Sequence, residues 1–405
     1  VLAQYVGWGG IPQIFDENHA DWSERRESLK ELLTPEEYAS ARASTVNAHY
    51  TTPTVIRTIY QGLANLGFRK GNILEPACGI GNFFGMLPEE MAESKLYGVE
   101  LDADKEICHA IGSKSALSLL PACFINPGDI TLITIPGYPV LGTWTEYLGG
   151  SVVKLPLLEE NGFLPNLDAI TPDQRKRAKL LYLNYPNNPT GASATYEFFE
   201  KVVKFAKENE ILVVSDAAYA PLNFVGKPLS IFAVPGAKDV AVELHSMSKG
   251  FNMTGWRLSW VCGNELAVKA FANVKDNADS GQFMAIQKAA IAALDDQASI
   301  TPMISEKYHR RLTSMVNTLK GLGFNAKVPA GSFYLYVKAP KAASDGTTFA
   351  SGEDFSQWLI KNKLISSVPW DDAGNYVRFS ATFVARGGHD AEEKVLAEFA
   401  RRLSD

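Results

Sequence analysis

The sequence His245-Ser246-Met247-Ser248-Lys249 ends an apolar stretch that we predict to be a β-strand, and it finishes in a lysine. Two earlier apolar stretches end in a similar way, one in Asn184-Tyr185-Pro186-Asn187-Asn188-Pro189-Thr190-Gly191 and the other in Ser215-Asp216-Ala217-Ala218-Tyr219. Open α/β sheets bind their ligands at the carboxyl ends of the strands. The three sequences together therefore predict an α/β sheet with a polar ligand site along one edge.

Outward from these turns, short apolar stretches alternate with helical stretches from residue 104 onward. This alternation is typical of a sheet that carries helices on both faces. It predicts a large domain over residues 104–298 with seven strands, at Glu106–Ala110, Asp129–Ile133, Ser151–Lys154, Lys179–Leu183, Ile211–Ser215, Val240–Ser246 and Leu258–Gly263.

The pattern changes again at residue 299 and predicts a smaller α+β domain over residues 299–405. Its first helix has apolar residues spaced by three and four from Ile304 to Leu319, and we expect it to end near Gly321. The further elements are strands near Ser332–Val337, Leu364–Val368 and Tyr376–Ala381, and helices at about Glu353–Lys361 and Asp390–Leu403.

Composition excludes several classes of protein. The 405 residues carry 39 Lys and Arg against 45 Asp and Glu, a net charge of −6, so no basic stripe indicates a nucleic-acid partner. No apolar run approaches the roughly 18 residues that a membrane span requires. The four cysteines and six histidines are scattered without metal-ligand spacing, so we expect no metal. The absence of C-x-x-C and of an export signal predicts a reducing, cytoplasmic location.

One cofactor, pyridoxal 5′-phosphate, requires around a single aromatic ring the groups that these turns provide. A lysine must condense with its aldehyde, and Lys249 is placed for this. A carboxylate must keep the pyridine nitrogen protonated so that the ring accepts electrons, and Asp216 is the candidate. A phenol and an amide must hydrogen-bond the ring 3-oxygen, and Tyr219 and Asn188 offer them. We therefore predict Lys249, Asp216 and Tyr219 as catalytic residues.

The cofactor phosphate needs a cluster of hydrogen-bond donors. Gly112-Ser113-Lys114 ends the first strand and begins a helix, whose free N–H groups and positive dipole end favour an anion. Ser246 adds a hydroxyl and Arg257 adds a guanidinium group. Tyr138, in Pro136-Gly137-Tyr138-Pro139, offers an aromatic face above the ring, although this sequence is also typical of an ordinary turn with a packed tyrosine.

In this order, the motifs resemble those of the fold-type I aminotransferases over about 300 residues, from residue 104 to the C-terminus. They are most similar to the LL-diaminopimelate aminotransferase group, through Ile111–Lys114, Phe251–Arg257 and Asp279–Met284. The resemblance implies a seven-stranded mixed sheet with a small C-terminal domain, pyridoxal phosphate as the cofactor, and a homodimer. It also implies that Arg378 holds the substrate α-carboxylate, with Asn188 and Tyr138 in contact with the same substrate.

The activity implied by this resemblance is transamination in two half-reactions between an amino acid and a 2-oxo acid. Glutamate and 2-oxoglutarate are expected as one pair, and LL-diaminopimelate and tetrahydrodipicolinate as the other, in the biosynthesis of lysine and cell wall precursors. No single residue identifies the second pair. An aspartate, alanine or aromatic transaminase therefore stays open, as does a folded fusion without activity.

Residues 1–103 have a different pattern. Residues 1–46 are predicted to be helical, with a helix start at Thr34-Pro35-Glu36-Glu37. Residues 47–103 are predicted to form a βαβ unit with strands at Asn72–Leu74 and Lys95–Glu100. Its motifs resemble the opening motifs of adenine-specific DNA methyltransferases, which implies a partial Rossmann-like segment that binds S-adenosylmethionine; they are Asn47–Pro53, Glu75–Phe83 and Val99–Asp102.

The later D/N-P-P-Y/F motif of such a methyltransferase does not follow, and the N-terminal arm and substrate loop of an aminotransferase do not precede Gly112. We therefore expect a join between a truncated methyltransferase segment and an aminotransferase without its first segment. The join is expected at Tyr97–Asp102. Because the missing arm and loop would cover the substrate and contact a second subunit, we expect weakened activity and a looser dimer.

Overall fold

The computed structural model describes residues 12–17, 19–35, 37–38, 41–42, 53–75, 82–98, 105–279 and 281–404. The chain divides into two compact units, Val1–Asp102 and Ala103–Asp405. Most of the methyltransferase-like motifs and most of the expected join lie outside the described residues. The predicted helix start at Thr34 lies inside them, and there the Glu37 N–H donates to the Thr34 hydroxyl at 3.2 Å.

The first unit contains two short strands that pair in parallel. These are β1, Asn72–Glu75, and β2, Lys95–Gly98, with Asn72 opposite Lys95 and Glu75 opposite Gly98. The prediction of two strands in this segment is therefore confirmed. The helices described in this unit are α1 Ser23–Leu32, α2 Pro53–Asn65 and α3 Asn82–Gly85.

The second unit is built on a seven-stranded mixed sheet, as predicted. Its strand order is β3-β9-β8-β7-β6-β4-β5, in which β9 is antiparallel to both of its neighbours and every other pairing is parallel. Each strand begins and ends within two residues of its predicted bounds. The strands are β3 Ile107–Ala110, β4 Ile130–Ile135, β5 Ser151–Pro156, β6 Ala178–Asn184, β7 Leu212–Asp216, β8 Ala241–Ser246 and β9 Ser259–Gly263.

Helices cover both faces of this sheet because its central strands are apolar on both sides. In β6 every residue but Lys179 is buried, which is the pattern of a parallel strand in the middle of a sheet. Val202 and Phe199 pack on one face and Leu117 and Leu120 on the other. The helices of this region are α4 Ser113–Phe124, α5 Val140–Tyr147, α6 Pro172–Arg177, α7 Tyr196–Asn209, α8 Met247–Gly250, α9 Glu265–Lys275 and α10 Met284–Asp295.

The C-terminal part forms a separate core around a three-stranded antiparallel sheet in the order β10-β12-β11. Leu312 and Val316 of the long helix pack against Leu335 and Val377 of the sheet. The elements are α11 Gln297–Gly321, β10 Tyr334–Lys338, α12 Gly352–Trp358 with a π-helical turn Leu359–Lys363, β11 Val368–Trp370, β12 Tyr376–Ser380 and α13 His389–Ser404.

The strand predicted at Leu364–Val368 was wrong in its bounds. Leu364 has a left-handed backbone, with φ of 53°, and ends the preceding helical turn. The strand therefore begins only at Val368. Within the described residues, no helix is long and apolar enough to cross a membrane, and no cluster of His, Cys, Asp or Glu could hold a metal ion.

Candidate active site

Neighbouring strands bring the predicted site residues to one edge of the seven-stranded sheet. Strands β8, β7, β6 and β4 are adjacent and parallel, so their carboxyl ends lie side by side. The turns that follow them carry Lys249, Asp216, Asn188 and Tyr138. Strand β3 runs in the same direction, because β9 is antiparallel to both β3 and β8, and it delivers Gly112 to the same edge.

Asp216 is the last residue of β7 and is only 5% exposed. Its Oδ2 accepts a hydrogen bond from the Tyr182 hydroxyl at 3.0 Å, and its Oδ1 accepts one from the Ala218 N–H at 3.1 Å. Burial raises the pKa of Asp216, whereas these two hydrogen bonds and the charge of Lys249 lower it. A buried carboxylate is stable in its charged form only beside a compensating positive group. A protonated pyridine nitrogen would fit this requirement.

Tyr182 was not identified from the sequence. It lies in β6 and is completely buried between aliphatic neighbours. A buried phenol needs a hydrogen-bond partner, and Asn184, two residues further on the same strand, lies opposite Asp216. The sequence signal that could have identified Tyr182 as a partner of Asp216 was therefore a tyrosine within an otherwise aliphatic, buried strand.

Lys249 lies in the short helix α8, directly after β8. Ser246 caps this helix, since its hydroxyl accepts a hydrogen bond from the Ser248 N–H at 3.1 Å. Burial, with the charges of nearby arginines, lowers the pKa of Lys249, against the opposing charge of Asp216. A lowered pKa increases the fraction of neutral amine, which is the nucleophilic form.

Two aromatic rings flank the lysine. The Lys249 Nζ lies 5.4 Å from the centre of the Tyr219 ring and 5.3 Å from that of Phe333. Burial and the adjacent Tyr334 raise the pKa of Tyr219 well above its usual value, so its phenol keeps its proton and can donate a hydrogen bond. Phe333 and Tyr334 were not identified from the sequence, because they come from the small sheet region.

Arg378 reaches the turn after β6 from strand β12. Its Nη1 donates a hydrogen bond to Asn188 Oδ1 at 2.7 Å. Its guanidinium carbon lies 3.9 Å from the centre of the Tyr334 ring and 5.9 Å from that of Trp370. Because the side-chain oxygen of Asn188 accepts the hydrogen bond from Arg378, the side-chain NH₂ group of Asn188 remains as a donor. The Arg378 Nε is buried and has no hydrogen-bond partner among the described residues, which leaves capacity for a carboxylate ligand.

A set of anion-binding groups converges at the start of α4. Gly112 precedes this helix with φ of 78°, and a Cβ at this position would overlap the Arg257 guanidinium. The Ser113 hydroxyl is buried without a partner among the described residues. A helix N-terminus, an unpaired hydroxyl and a guanidinium group together fit a phosphate. Lys114 is exposed, and with Arg257 it lines a cavity of about 450 Å³.

Tyr138 is half-buried and packs against the same core cluster as Tyr182. Its position after β4 agrees with the predicted edge. Stacking of its ring on a cofactor stays a prediction.

The chain is similar to known proteins over about three quarters of its length. The family profile described as aminotransferase class I and II matches residues 84–381. The LL-diaminopimelate aminotransferase of Methanocaldococcus jannaschii is 58% identical over 317 residues, 76% of this chain and 75% of that protein. The one from Methanococcus maripaludis is 57% identical over 316 residues, 77% and 76%. Among solved structures, apo-BacF from Bacillus subtilis superimposes with a TM-score of 0.69 and 33% identity, over 75% of this chain and 80% of that one.

Proposed function

This chain belongs to the aminotransferase class I and II family, whose enzymes depend on pyridoxal phosphate, and we propose that it is an LL-diaminopimelate aminotransferase. The reaction converts LL-2,6-diaminopimelate and 2-oxoglutarate into tetrahydrodipicolinate, glutamate and water. The names of the two relatives above 55% identity support this substrate pair. The observation that carries the transaminase site is the contact of Arg378 with Asn188, at the same sheet edge as Lys249 and Asp216.

The cofactor, when bound, supplies an electron-withdrawing ring that stabilises negative charge at the substrate Cα. We assign the transfer of the Cα proton to the Lys249 amine, because burial lowers its pKa and so increases the fraction of neutral amine that can act as a base. Asp216 would hold a proton on the pyridine nitrogen. Tyr219 and Asn188 would donate hydrogen bonds to the ring 3-oxygen, and Arg378 would bind the α-carboxylate of the substrate.

The phosphate is assigned to Gly112, Ser113, Lys114, Ser246 and Arg257. The helix N-terminus supplies backbone donors, and the unpaired Ser113 hydroxyl and the guanidinium supply side-chain donors. Tyr138 is assigned to the face of the ring.

An absorbance spectrum tests the proposal. Purified protein given pyridoxal phosphate should show the visible band of cofactor bound to a lysine, and borohydride should bleach it. Lys249→Ala should lose the band, whereas Lys269→Ala, an exposed lysine on α9, should keep it. A band that persists in Lys249→Ala would refute the assignment.

The substrate pair needs a separate assay. The enzyme should use LL-diaminopimelate as amino donor to 2-oxoglutarate at a kcat/KM at least about tenfold above that for aspartate, alanine or phenylalanine. A preference for any of these three would favour the corresponding transaminase instead.

We also propose a homodimer, as is usual in this family. Helix α10 exposes apolar side chains on one side, including Met284, Ile291 and Leu294, and Phe283 precedes them at 73% exposure. Apolar patches of this kind mark protein interfaces. Sedimentation should show a dimer that Ile291→Glu dissociates and that Leu266→Glu, at an exposed leucine on α9, does not affect.

For residues 1–102 we propose descent from an adenine-specific DNA methyltransferase that has been joined to the aminotransferase. The quoted motifs and the parallel pairing of β1 with β2 support it. Calorimetric titration with S-adenosylmethionine tests whether binding persists, and no heat would refute binding.

On the cysteine pattern alone we propose the cytoplasm as the location; Cys108, Cys123 and Cys262 form no disulfide.

A further inference from the structure

We propose that Gln282 is a positioning residue that holds Arg257 in the conformation in which it faces the phosphate site. The inference rests on the proposed role of Arg257. Gln282 itself contacts neither Lys249 nor Asp216 in any described hydrogen bond, so its role is distinct from the assigned chemistry.

The backbone of Arg257 is the first step of the argument. Arg257 follows the 3₁₀ turn Thr254–Trp256 and has φ of 55° and ψ of 47°, the left-handed region. This conformation is unfavourable for a residue that has a Cβ, because the Cβ lies too close to the following carbonyl oxygen. The surrounding structure must therefore stabilise Arg257 there.

The left-handed backbone of Arg257 determines the direction in which its side chain points. The Arg257 Nη1 donates to the Thr254 carbonyl at 2.8 Å. The other end of the guanidinium lies so close to Gly112 that a Cβ there would overlap it. The group is thus held against Gly112, the residue that precedes α4, and the next residue, Ser113, carries the unpaired hydroxyl.

Gln282 bonds to the peptides on both sides of Arg257. Its Nε2 donates to the Arg257 carbonyl at 2.6 Å and lies 3.2 Å from the Trp256 carbonyl. In helical backbone, right-handed or left-handed, successive carbonyls point roughly along the axis, whereas in extended backbone they point in opposite directions. A single NH₂ group bonded to both carbonyls therefore disfavours the extended conformation of Arg257.

Gln282 is itself held in place. Its backbone carbonyl accepts a hydrogen bond from the Gln287 side-chain Nε2 at 2.7 Å. Upstream, buried Lys275 pairs with Asp279 and fixes the start of the connecting segment. The Gln282 Oε1 is buried without a hydrogen-bond partner among the described residues, which is unfavourable. We attribute this arrangement to the hydrogen bonds that the Nε2 group of the same side chain donates.

A comparison of two ligands tests the proposal. Pyridoxal lacks the phosphate, so a defect at Arg257 should weaken the binding of pyridoxal phosphate and leave the binding of pyridoxal unaffected. We would measure dissociation constants of both ligands for the cofactor-free protein by fluorescence quenching. Gln282→Met, which keeps the volume and removes the donor, should raise the constant for pyridoxal phosphate about tenfold, the value of one hydrogen bond. The constant for pyridoxal should change less than about twofold.

The controls separate this inference from the proposed function. Gln297→Met, at an exposed glutamine on α11, should change neither constant. Arg257→Met should weaken pyridoxal phosphate selectively; if it does not, the phosphate assignment itself is wrong and the inference is overturned with it. If Arg257→Met is selective and Gln282→Met is not, the inference alone is overturned. Equal weakening of both ligands by Gln282→Met would also overturn it, since this indicates a general structural role.

A second variant guards against misfolding. Gln282→Glu places a carboxylate against two carbonyl oxygens and cannot donate at neutral pH. It should weaken pyridoxal phosphate at least as much as Gln282→Met does. Parental affinity in Gln282→Glu would overturn the inference.

Discussion

The edge of the seven-stranded sheet and the three-stranded sheet each supply a charged residue to the site, but they hold it in different ways. Asp216, from the large sheet, is buried, and burial raises its pKa. Arg378, from the small sheet, is half-buried between Tyr334 and Asn188, and an arginine keeps its charge in proteins. We therefore propose that the large sheet controls the chemistry through protonation, whereas the small sheet controls substrate binding through contacts.

The largest expected effect is that of Asp216→Asn. An amide cannot hold a proton on the pyridine nitrogen, so kcat should fall about 10²- to 10³-fold, as when one preorganised electrostatic group is removed. The KM for the amino acid should change little, because the small sheet is untouched. Steady-state kinetics measure both quantities.

The matched control is Asp173→Asn, at an exposed aspartate in α6, which should retain parental kcat. Thermal unfolding of the cofactor-free protein gives a second readout. Because burial raises the folded-state pKa of Asp216, its ionised form costs stability above the unfolded pKa. Asp216→Asn should therefore raise the Tm of the cofactor-free protein at pH 7. A lower Tm would contradict the burial argument.

Arg378→Met should have the opposite kinetic signature. Loss of charged hydrogen bonds worth about 2 kcal/mol should raise the KM for the amino acid about 30-fold. Affinity for pyridoxal phosphate should stay within about twofold of the parent. Arg386→Met, at an exposed arginine, serves as control. An unchanged KM in Arg378→Met would remove the small sheet from substrate binding.

A smaller effect is expected for Tyr182→Phe. The variant removes the hydroxyl that donates to Asp216 and should raise the pKa of that carboxyl, because the hydrogen bond lowers it. Affinity for pyridoxal phosphate should fall about five- to tenfold. Tyr185→Phe is the matched control, since its buried hydroxyl donates instead to the Phe163 carbonyl. Equal affinities in the two variants would contradict the role of Tyr182.

The local part of the site could be predicted from sequence. Strands and their terminal motifs have short-range patterns, so the places of Lys249, Asp216 and Asn188 followed from apolar stretches and turn residues. The Tyr182 contact depends on which side chains meet across two strands. The hydrogen bond from Gln282 to the Arg257 carbonyl joins residues 25 apart in the sequence, and no local pattern contains that information.

The small sheet was harder to predict for the same reason. Tyr334 and Phe333 approach Tyr219 only because α11 and the small sheet pack against the turn after β7. Leu364 was predicted to begin a strand from its apolar character, yet it ends a helical turn with a positive φ. A helix end in left-handed backbone is typically signalled by glycine, and leucine gives no such signal.

The smallest expected effect on turnover comes from His245, which none of the assigned steps uses. Its Nε2 lies 2.9 Å from a carboxylate oxygen of buried Glu243. Burial lowers the pKa of His245, but hydrogen bonds with Cys262 and Glu243 and the charge of Glu243 raise it to about 10. A histidine with a raised folded-state pKa contributes stability that is fully present below its unfolded pKa of about 6.5 and is lost as the pH rises through about 10.

The free energy of unfolding should therefore decrease between about pH 6.5 and 10, and His245→Gln should reduce this decrease. The variant should also lose about 2 kcal/mol at pH 6, the value of a hydrogen bond to a charged group. Urea unfolding at several pH values measures both effects, and His309→Gln, at an exposed histidine, is the control. The same pH slope in His245→Gln and in the parent would show that the charge pair does not set stability. The contrast between pH-dependent charges in the large sheet and a fixed charge in the small sheet would then apply to Asp216 alone.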